Sequence, residues 1–308
     1  MFVVCGEALM DVFSTGATPT GVSLDARVGG SPLNVAVGLA RLAQPVVFLG
    51  GVSRGFLGER LMKALTDEGV DTRAVWRSDA PTTLGLVGLN AAGVPSYAFY
   101  GDGAADRLVP AQALAALPAH IEAIHIGSFN AVVEPVASTL RSLVASAQGR
   151  CLIAYDPNIR LNVEPDLARW RDQLQWMLPR TQLLKISDED LESLYPGADA
   201  QALATQWLAQ GVALVVLTRG AQGAMAWTGN QRIQVPTVAV PVIDTVGAGD
   251  TFQAALLTWL AEHDALSAQA ISQLDVPALT NALEFAARAA AITCSRRGAD
   301  MPHRPELN

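Results

Sequence analysis

The chain is poor in cysteine and lysine and has no long apolar run. Its three cysteines are widely spaced, and its four histidines show no metal-ligand spacing with them. A disulfide framework is therefore excluded, and a zinc site is not expected. A formal net charge of -8 argues against nucleic acid or an anionic membrane as a partner, because either would need a basic face. Because a signal peptide and a membrane-spanning segment are also missing, we expect a soluble, cytoplasmic protein with free thiols.

Two common nucleotide-binding loops are missing as well. No strand-like segment is followed by G-x-G-x-x-G with an acidic residue about 20 positions later, as a dinucleotide-binding dehydrogenase requires. The sequence also contains no G-x-x-x-x-G-K-[ST], the loop of P-loop enzymes. Any phosphate site in this chain must therefore be built differently.

The sequence does contain a regular alternation of short apolar runs and amphipathic segments. Half of the 308 residues are hydrophobic, which is enough for one large core. The alternation predicts an α/β fold in a single domain over 1–308. The predicted buried strands are 2–5, 45–52, 70–77, 121–126, 151–155, 183–187 and 212–217.

The alternation breaks between 81 and 101. Two strand-like runs are joined there by a tight connection at 91–93, without a helix between them, which predicts an antiparallel hairpin. Together with the irregular segment 13–28, this hairpin can form a β-lid that excludes water from a site. Tyr97 is a candidate ligand contact in the lid, and burial in the core is the alternative for it.

The motif DTVGAGDTF predicts an anion hole. Gly247, Ala248 and Gly249 carry almost no side chain and come just before a helix, so a phosphate can approach the backbone and the helix N-terminus. Asp250 follows directly. A carboxylate in a site for anions suits a catalytic base that accepts a proton from an attacking hydroxyl. The alternative is an ordinary helix-capping aspartate.

Polar residues after the first predicted strand and at the start of the first predicted helix suit hydroxyl binding. Asp11 follows the first strand, at the sheet edge where α/β proteins bind ligands, and a turn aspartate is the alternative. In the motif GGSPLN, Gly30 permits close backbone approach and Ser31 is predicted as the helix N-cap. Asn34 in the first turn can reach a ligand held over that helix end.

Two charged residues later in the chain are further candidates. Arg160 in DPNIR can hold a phosphoryl oxygen, with an ion pair to Asp156 as the alternative. Lys185, one of only two lysines, lies in an apolar strand. The acids that follow it, up to Asp190, either cap a helix or offer a carboxylate to hydrated magnesium.

The motifs, taken together, resemble one known family. GGSPLNVAVGLARLA, DPNIR, LLKISDEDL, TRGAQGA and DTVGAGDTF follow one another as in the ribokinase (PfkB-type) family of sugar kinases, most closely its bacterial fructokinases. The resemblance covers nearly the whole chain. It implies a ribokinase-like three-layer α/β fold, with a central, mostly parallel sheet, helices on both faces and a β-lid.

The resemblance also implies roles for individual residues. Asp250 matches the catalytic base, 247–249 match the anion hole, and Arg160 matches a residue near the transferred phosphate. The sugar-binding positions are Asp11, Gly30 and Asn34. The positions on the ATP side are Lys185, Thr218, Gly220, Gly223 and Asn281.

The implied cofactors are ATP and Mg²⁺, with a monovalent cation such as K⁺ as an optional third, and the implied assembly is a homodimer through the lid. The family's usual metal-associated Asn-x-x-Glu is replaced here by Ser187 to Asp190. Asp190 stands at the place of the family's glutamate and is the expected magnesium ligand, acting through water.

The expected reaction is transfer of the γ-phosphoryl group of ATP to a primary hydroxyl of D-fructose, giving fructose 6-phosphate. The first motif has no basic cluster for a phosphorylated sugar, which favours a neutral acceptor. Ribose, adenosine and 2-keto-3-deoxygluconate stay open, the last because Arg107 can pair with its carboxylate. A non-catalytic sugar-binding regulator is the alternative from another functional class.

Overall fold

The computed structural model describes residues 1–89, 95–229 and 231–307, with the backbone alone for 89 and 95–97. The connection predicted at 91–93 lies outside the described residues. The strands are β1 (Phe2–Cys5), β2 (Leu9–Thr18), β3 (Gly21–Gly29), β4 (Val46–Leu49), β5 (Gly51–Ser53), β6 (Trp76–Ser78), β7 (Leu84–Leu89), β8 (Pro95–Tyr100), β9 (Ala123–Gly127), β10 (Leu152–Asp156), β11 (Leu183–Ser187), β12 (Leu214–Thr218), β13 (Ala224–Trp227) and β14 (Arg232–Val235).

The α-helices follow the alternation in the sequence. They are α1 (Ser31–Arg41), α2 (Phe56–Asp67), α3 (Val136–Ala147), α4 (Leu167–Met177), α5 (Asp188–Leu194), α6 (Ala200–Ala209), α7 (Ala248–Glu262), α8 (Ala268–Gln273) and α9 (Val276–Cys294). Within the described ranges, no helix combines the length and the apolar character that crossing a membrane requires.

A central sheet of eight strands carries the fold, in the order β14-β13-β12-β11-β10-β9-β1-β4. The six strands from β12 to β4 are parallel. At the other edge, β13 pairs antiparallel with β12, and β14 pairs antiparallel with β13. The strands are apolar on both faces because helices cover both. In β1, Phe2 and Val4 pack into the core on one face, and Val3 and Cys5 into the core on the other. The predicted three-layer α/β fold is thereby confirmed.

A second sheet stands apart from the first, with the strand order β3-β2-β7-β8. β2 pairs antiparallel with β3 and parallel with β7, and β7 pairs antiparallel with β8. These strands occupy the two segments from which the sequence predicts a lid. Val22 and Leu24 on β3 are 58% and 55% exposed, so this sheet presents apolar side chains to solvent.

Two predicted strands are corrected by the structure. The run 45–52 is split into β4 and β5, and β5 leaves the central sheet to pair with β6. At Gly51 the chain packs so closely that a β-carbon would lie 1.9 Å from the Ala105 carbonyl oxygen, so only glycine fits there. The run 70–77 is strand only from Trp76, with one isolated bridge at Asp71.

Candidate active site

The carboxyl ends of the parallel strands bring the polar residues of the motifs to one edge of the sheet, where α/β folds bind ligands. β1, β9, β10 and β11 are neighbours in the sheet. Helices α1 and α7 pack on each other on one face. Residues more than 200 positions apart in the chain thereby meet at this edge.

Asp250, in the first turn of α7, is buried and held from both sides. Ser31 Oγ donates to Oδ1 at 2.6 Å and Asn34 Nδ2 donates to Oδ2 at 2.8 Å. Burial raises the pKa of the Asp250 carboxyl, and the two donors and the Lys185 ammonium act against that shift. The predicted N-cap role of Ser31 is wrong, because Gly30 precedes the helix and the serine hydroxyl is bonded to Asp250 instead.

The glycine-rich turn before Asp250 requires its small residues. Gly247 has φ 78° and is packed so closely that a β-carbon would lie 2.5 Å from that of Ala299. A β-carbon on Gly249 would lie 3.2 Å from Lys185 Nζ. The turn at the start of α7 therefore lies beside a buried ammonium group.

Lys185 and Asp156 form a buried ion pair, with 2.6 Å between Nζ and Oδ2. The side chains are 5% and 2% exposed, and they come from the neighbouring strands β11 and β10. Arg160 instead donates to the Ile159 carbonyl oxygen at 2.9 Å. The alternative of an Asp156–Arg160 pair is therefore wrong.

Asp11 on β2 lies between two glycines. β-carbons on Gly29 and Gly85 would approach its carboxylate oxygens to 2.2 and 2.9 Å. Burial raises the pKa of Asp11 to about 6, opposed by Arg160 and assisted by Asp250. Asp11 and Asn34 line one small cavity, so the structure brings together the two residues from which sugar binding is predicted.

Gly30 lies over a buried acid that the sequence analysis missed. It has φ 108°, and a β-carbon there would meet the Glu7 carbonyl oxygen at 2.6 Å. Burial raises the pKa of the Glu7 carboxyl to about 8, and Asp106 contributes in the same direction. The pKa of Asp106 is itself raised to about 6 by burial. The only signal for Glu7 in the sequence is its place directly after the first strand.

Arg107 and Tyr97 are the two candidates near the lid, and the structure describes the side chain of Arg107 only. Arg107 is buried, donates from Nη1 to Asp102 Oδ1 at 2.9 Å and lies 5.8 Å from the Phe129 ring centre. Its charge therefore already has a carboxylate partner. The backbone of Tyr97 pairs with Val87, and its side chain lies outside the described residues.

Three of the residues assigned to the ATP side lie at the end of β12 and in the turn that follows it. Thr218 ends that strand opposite Ser187 of β11. Gly220 and Gly223 have φ 48° and 82°, and a β-carbon on Gly223 would lie 2.1 Å from the Val235 carbonyl oxygen. Asn281 is exposed on α9, which packs against α7.

Asp190 is the one acid of its segment that turns inward. Ser187 Oγ accepts from the Asp190 backbone N–H at 3.0 Å, which confirms the predicted helix cap. The Asp190 Oδ1 oxygen accepts from the Ile159 N–H at 3.0 Å, and burial raises its pKa to about 6. The described residues contain no cluster of three or more His, Cys, Asp or Glu suited to a metal. A single buried carboxylate such as that of Asp190 fits a cation that keeps several of its waters, as magnesium does.

The comparisons with known proteins agree with this arrangement. The sequence profile described as "pfkB family carbohydrate kinase" matches residues 1–306. A fructokinase of Rhizobium leguminosarum bv. trifolii is 34% identical over 281 residues, covering 91% of this chain and 86% of that one. Fructokinase-1 of Oryza sativa subsp. japonica is 32% identical, covering 97% and 93%.

Solved structures extend the similarity to the fold. The fructokinase of Xylella fastidiosa with bound ATP superposes with a TM-score of 0.88 at 28% identity, covering 99% of this chain and 96% of that one. The fructokinase of Vibrio cholerae O395 in its fructose, ADP and calcium ion bound form gives 0.82 at 25% identity, covering 99% and 97%. With its motifs, its three-layer fold and these similarities over nearly its whole length, the chain belongs to the pfkB family of carbohydrate kinases.

Proposed function

We propose that this kinase transfers the γ-phosphoryl group of ATP to a primary hydroxyl of D-fructose, giving fructose 6-phosphate. The observation that carries the proposal is the buried Asp250 carboxylate beside the glycine-rich start of α7, fixed by Ser31 and Asn34. The fructokinases to which the chain is similar, one of them solved with fructose and ADP, support this choice of sugar.

In this proposal Asp250 is the general base. It accepts the proton of the attacking hydroxyl while the new oxygen–phosphorus bond forms and the bond to ADP breaks. The two donors on its oxygens hold the carboxylate in one orientation. Because burial raises its pKa, Asp250 is a stronger base than an exposed aspartate.

The phosphoryl group is held by residues 247–249 and Arg160. Backbone N–H groups at the start of α7 and the positive end of its dipole favour an anion there. The position of Gly249 supports this assignment, because a β-carbon there would lie 3.2 Å from Lys185 Nζ and a longer side chain would fill the space beside the ammonium group. Arg160 exerts a charge effect on Asp11 and Asp190, which fits a position between the two substrates.

The sugar is held by Asp11, Gly30 and Asn34, with Tyr97 from the lid. Carboxylate and amide groups suit hydroxyls, and the cavity that Asp11 and Asn34 share supports this assignment. Arg107 is proposed as a further residue beside the sugar. Because its guanidinium group already pairs with Asp102, it is less suited to bind the carboxylate of a sugar acid such as 2-keto-3-deoxygluconate.

The nucleotide is held by the turn that contains Thr218, Gly220 and Gly223, with Lys185 and Asn281. Magnesium bound to the triphosphate supplies positive charge, and Asp190 can bind one of its waters. The potassium ion and calcium ion bound forms of the Vibrio cholerae O395 fructokinase support a role for metal ions, and we extend the proposal to Mg²⁺ and to an optional monovalent cation such as K⁺.

The proposal extends to assembly and compartment. Exposed Val22 and Leu24 on β3 support a homodimer through the lid, which Leu24→Asp would convert to a monomer in size-exclusion chromatography. An unchanged elution volume would contradict the lid interface.

The three free cysteines support a reducing cytoplasm, and the net charge of -8 supports small-molecule partners and not nucleic acid or a membrane.

The test is ADP release measured with a panel of sugars, with and without EDTA. We expect the largest kcat/KM for fructose and loss of turnover in EDTA. If ribose or 2-keto-3-deoxygluconate exceeds fructose tenfold, about 1.4 kcal/mol in transition-state binding, the fructose assignment fails and the kinase assignment stands. Absence of ADP release with every sugar would favour the sugar-binding regulator.

A further inference from the structure

The Lys185 ammonium group lies at the floor of the turn assigned to the phosphoryl group. Its Nζ atom is 3.2 Å from the position that a β-carbon on Gly249 would occupy. The side chain is 5% exposed, in a chain that contains only one other lysine. A compact, buried positive charge therefore adjoins the backbone on which a phosphate would rest.

Asp156 fixes this ammonium group without using all of its donors. Nζ donates to Asp156 Oδ2 at 2.6 Å, and within 1–89, 95–229 and 231–307 this is the one hydrogen bond recorded from Nζ. An ammonium group carries three N–H donors. Two of them therefore remain for oxygens of a ligand at Gly249.

Stability does not explain the pair. Removing two charges from water costs as much as, or more than, their attraction returns, and apolar replacements of buried ion pairs are often neutral or stabilising. Asp156 Oδ1 is in addition a buried oxygen that no described group contacts by a hydrogen bond. A chain that keeps such a pair beside a glycine-rich turn has placed a charge where it can act on an anion.

The side chain of His125 lies close enough to the pair for both of its charges to act on the ring. His125 on β9 is fully buried, and burial lowers its pKa to about 4, so the ring is neutral at pH 7. Its Nδ1 lies 3.4 Å from Nε2 of Gln253, which follows Asp250 by one turn of α7. The carboxyls that act on the ammonium charge are therefore Asp156, which accepts its hydrogen bond, and Asp250 and Asp190, whose raised pKa values it opposes. In a region of low dielectric this charge acts strongly on a nearby anion.

We propose that Lys185 is a catalytic residue whose ammonium group binds an oxygen of the phosphoryl group during transfer, and that Asp156 is the positioning residue that holds it at Gly249. The inference rests on the proposed kinase function and deepens it. Lys185 transfers no proton: the oxygen–phosphorus bond to the sugar forms, the bond to ADP breaks, and the hydroxyl proton goes to Asp250. The ammonium group stabilises the charge on the phosphoryl oxygens during this exchange.

The first test compares Lys185→Met with Lys63→Met, a change at the exposed second lysine on α2. We expect Lys185→Met to lower kcat roughly a hundredfold or more, as removal of one charge-stabilising donor does, and by a larger factor than any rise in the KM for ATP. Lys63→Met keeps the wild-type kcat. A raised KM for ATP with unchanged kcat would overturn the proposal, because Lys185 would then bind only the ground-state nucleotide.

The second test separates charge from folding. Lys185→Met alone leaves Asp156 buried without its cation, whereas Lys185→Met/Asp156→Asn removes both charges. We expect the double variant to recover the melting temperature and not kcat. Recovery of kcat with the melting temperature would assign the pair to stability and overturn the proposal.

The third test uses Lys185→Ala with added ethylammonium, and ethanol as the uncharged probe of similar size. We expect ethylammonium to restore turnover in a saturable manner and ethanol to have no effect. Equal responses to both would overturn a role for the charge. All three tests use the sugar with the largest kcat/KM in the panel. If that sugar is not fructose, only the substrate assignment changes and the tests of Lys185 remain valid. Absence of turnover with every sugar overturns the proposed function and this inference together.

Discussion

The two halves of the candidate site hold their buried carboxyls in different ways. On the phosphate side, formed by Asp156, Lys185 and Gly249, an ammonium group pairs with the carboxylate at 2.6 Å. What we call the sugar side consists of Asp11, from the proposed sugar site, and two further buried acids, Glu7 and Asp106. Burial raises the pKa values of Asp11, Glu7 and Asp106 to about 6, 8 and 6. The guanidinium groups nearby only partly offset this shift.

This difference corresponds to the charge of the two proposed substrates. A buried cation suits a triphosphate, whose negative charge must be offset during transfer. The sugar side has two carboxylates and one carboxyl that is largely protonated at pH 7, which suits neutral hydroxyls and disfavours a second phosphate. Changes on the phosphate side should therefore act on kcat, and changes on the sugar side on KM or on stability.

The largest effect is expected at Asp250, between the two sides. The Asp250→Asn variant should still bind ATP and sugar, as measured by calorimetry. Its kcat should be lower by about 10²–10⁴-fold, because the amide cannot accept the hydroxyl proton. Asp172→Asn, at an exposed position on α4, is the control. Near-normal turnover of Asp250→Asn would remove the carboxylate from the mechanism.

On the phosphate side, Gly249→Val should leave the protein folded and abolish turnover. Even the first carbon of the new side chain lies 3.2 Å from Lys185 Nζ, and the further methyl groups fill the space next to the backbone. Gly229→Val is the matched control, since a β-carbon there meets nothing within 4 Å. Steady-state kinetics and circular dichroism check the prediction, and a fully active Gly249→Val would locate the anion hole elsewhere.

On the sugar side, the KM for sugar should rise as the pH falls from 7 to 5. The pKa of Asp11 is about 6, so its carboxylate is protonated over this range and loses acceptor capacity. Asp11→Asn should raise KM roughly tenfold or more at pH 7, the effect of losing a hydrogen bond to a charged group, and should flatten the profile. A KM profile that keeps its wild-type shape in Asp11→Asn would assign the titration to another group.

The smallest effect is expected at Glu7. Its folded-state pKa of about 8 exceeds the ordinary value of 4.5, so its contribution to stability is present below pH 4.5 and is lost as the pH rises through 8. Glu7→Gln does not titrate. Between pH 7 and 9 the free energy of unfolding of the wild type should therefore fall by roughly 1 kcal/mol relative to Glu7→Gln, measured by urea unfolding. A constant difference across this range would show that Glu7 does not hold a proton.

The sequence determined the fold class and the position of the glycine-rich turn that we propose as the anion hole. Short apolar runs that alternate with amphipathic segments have few solutions other than a parallel sheet with helices on both faces. The preference for glycine at position 247 is a local property of the chain. A backbone with φ 78° favours glycine in any fold. The role of base predicted for Asp250 came from its place after that turn, because a carboxylate beside a site for anions suggests a base.

The pairing of side chains from distant segments was decided by the tertiary structure. Ser31 has the local signature of an N-cap and donates to Asp250 instead, and Asp156 pairs with Lys185 and not with the nearby Arg160. Each partner lies on another strand or helix, so no local pattern records it. The raised pKa of Glu7 likewise arises from burial after folding, because desolvation depends on what the rest of the chain packs around a carboxyl.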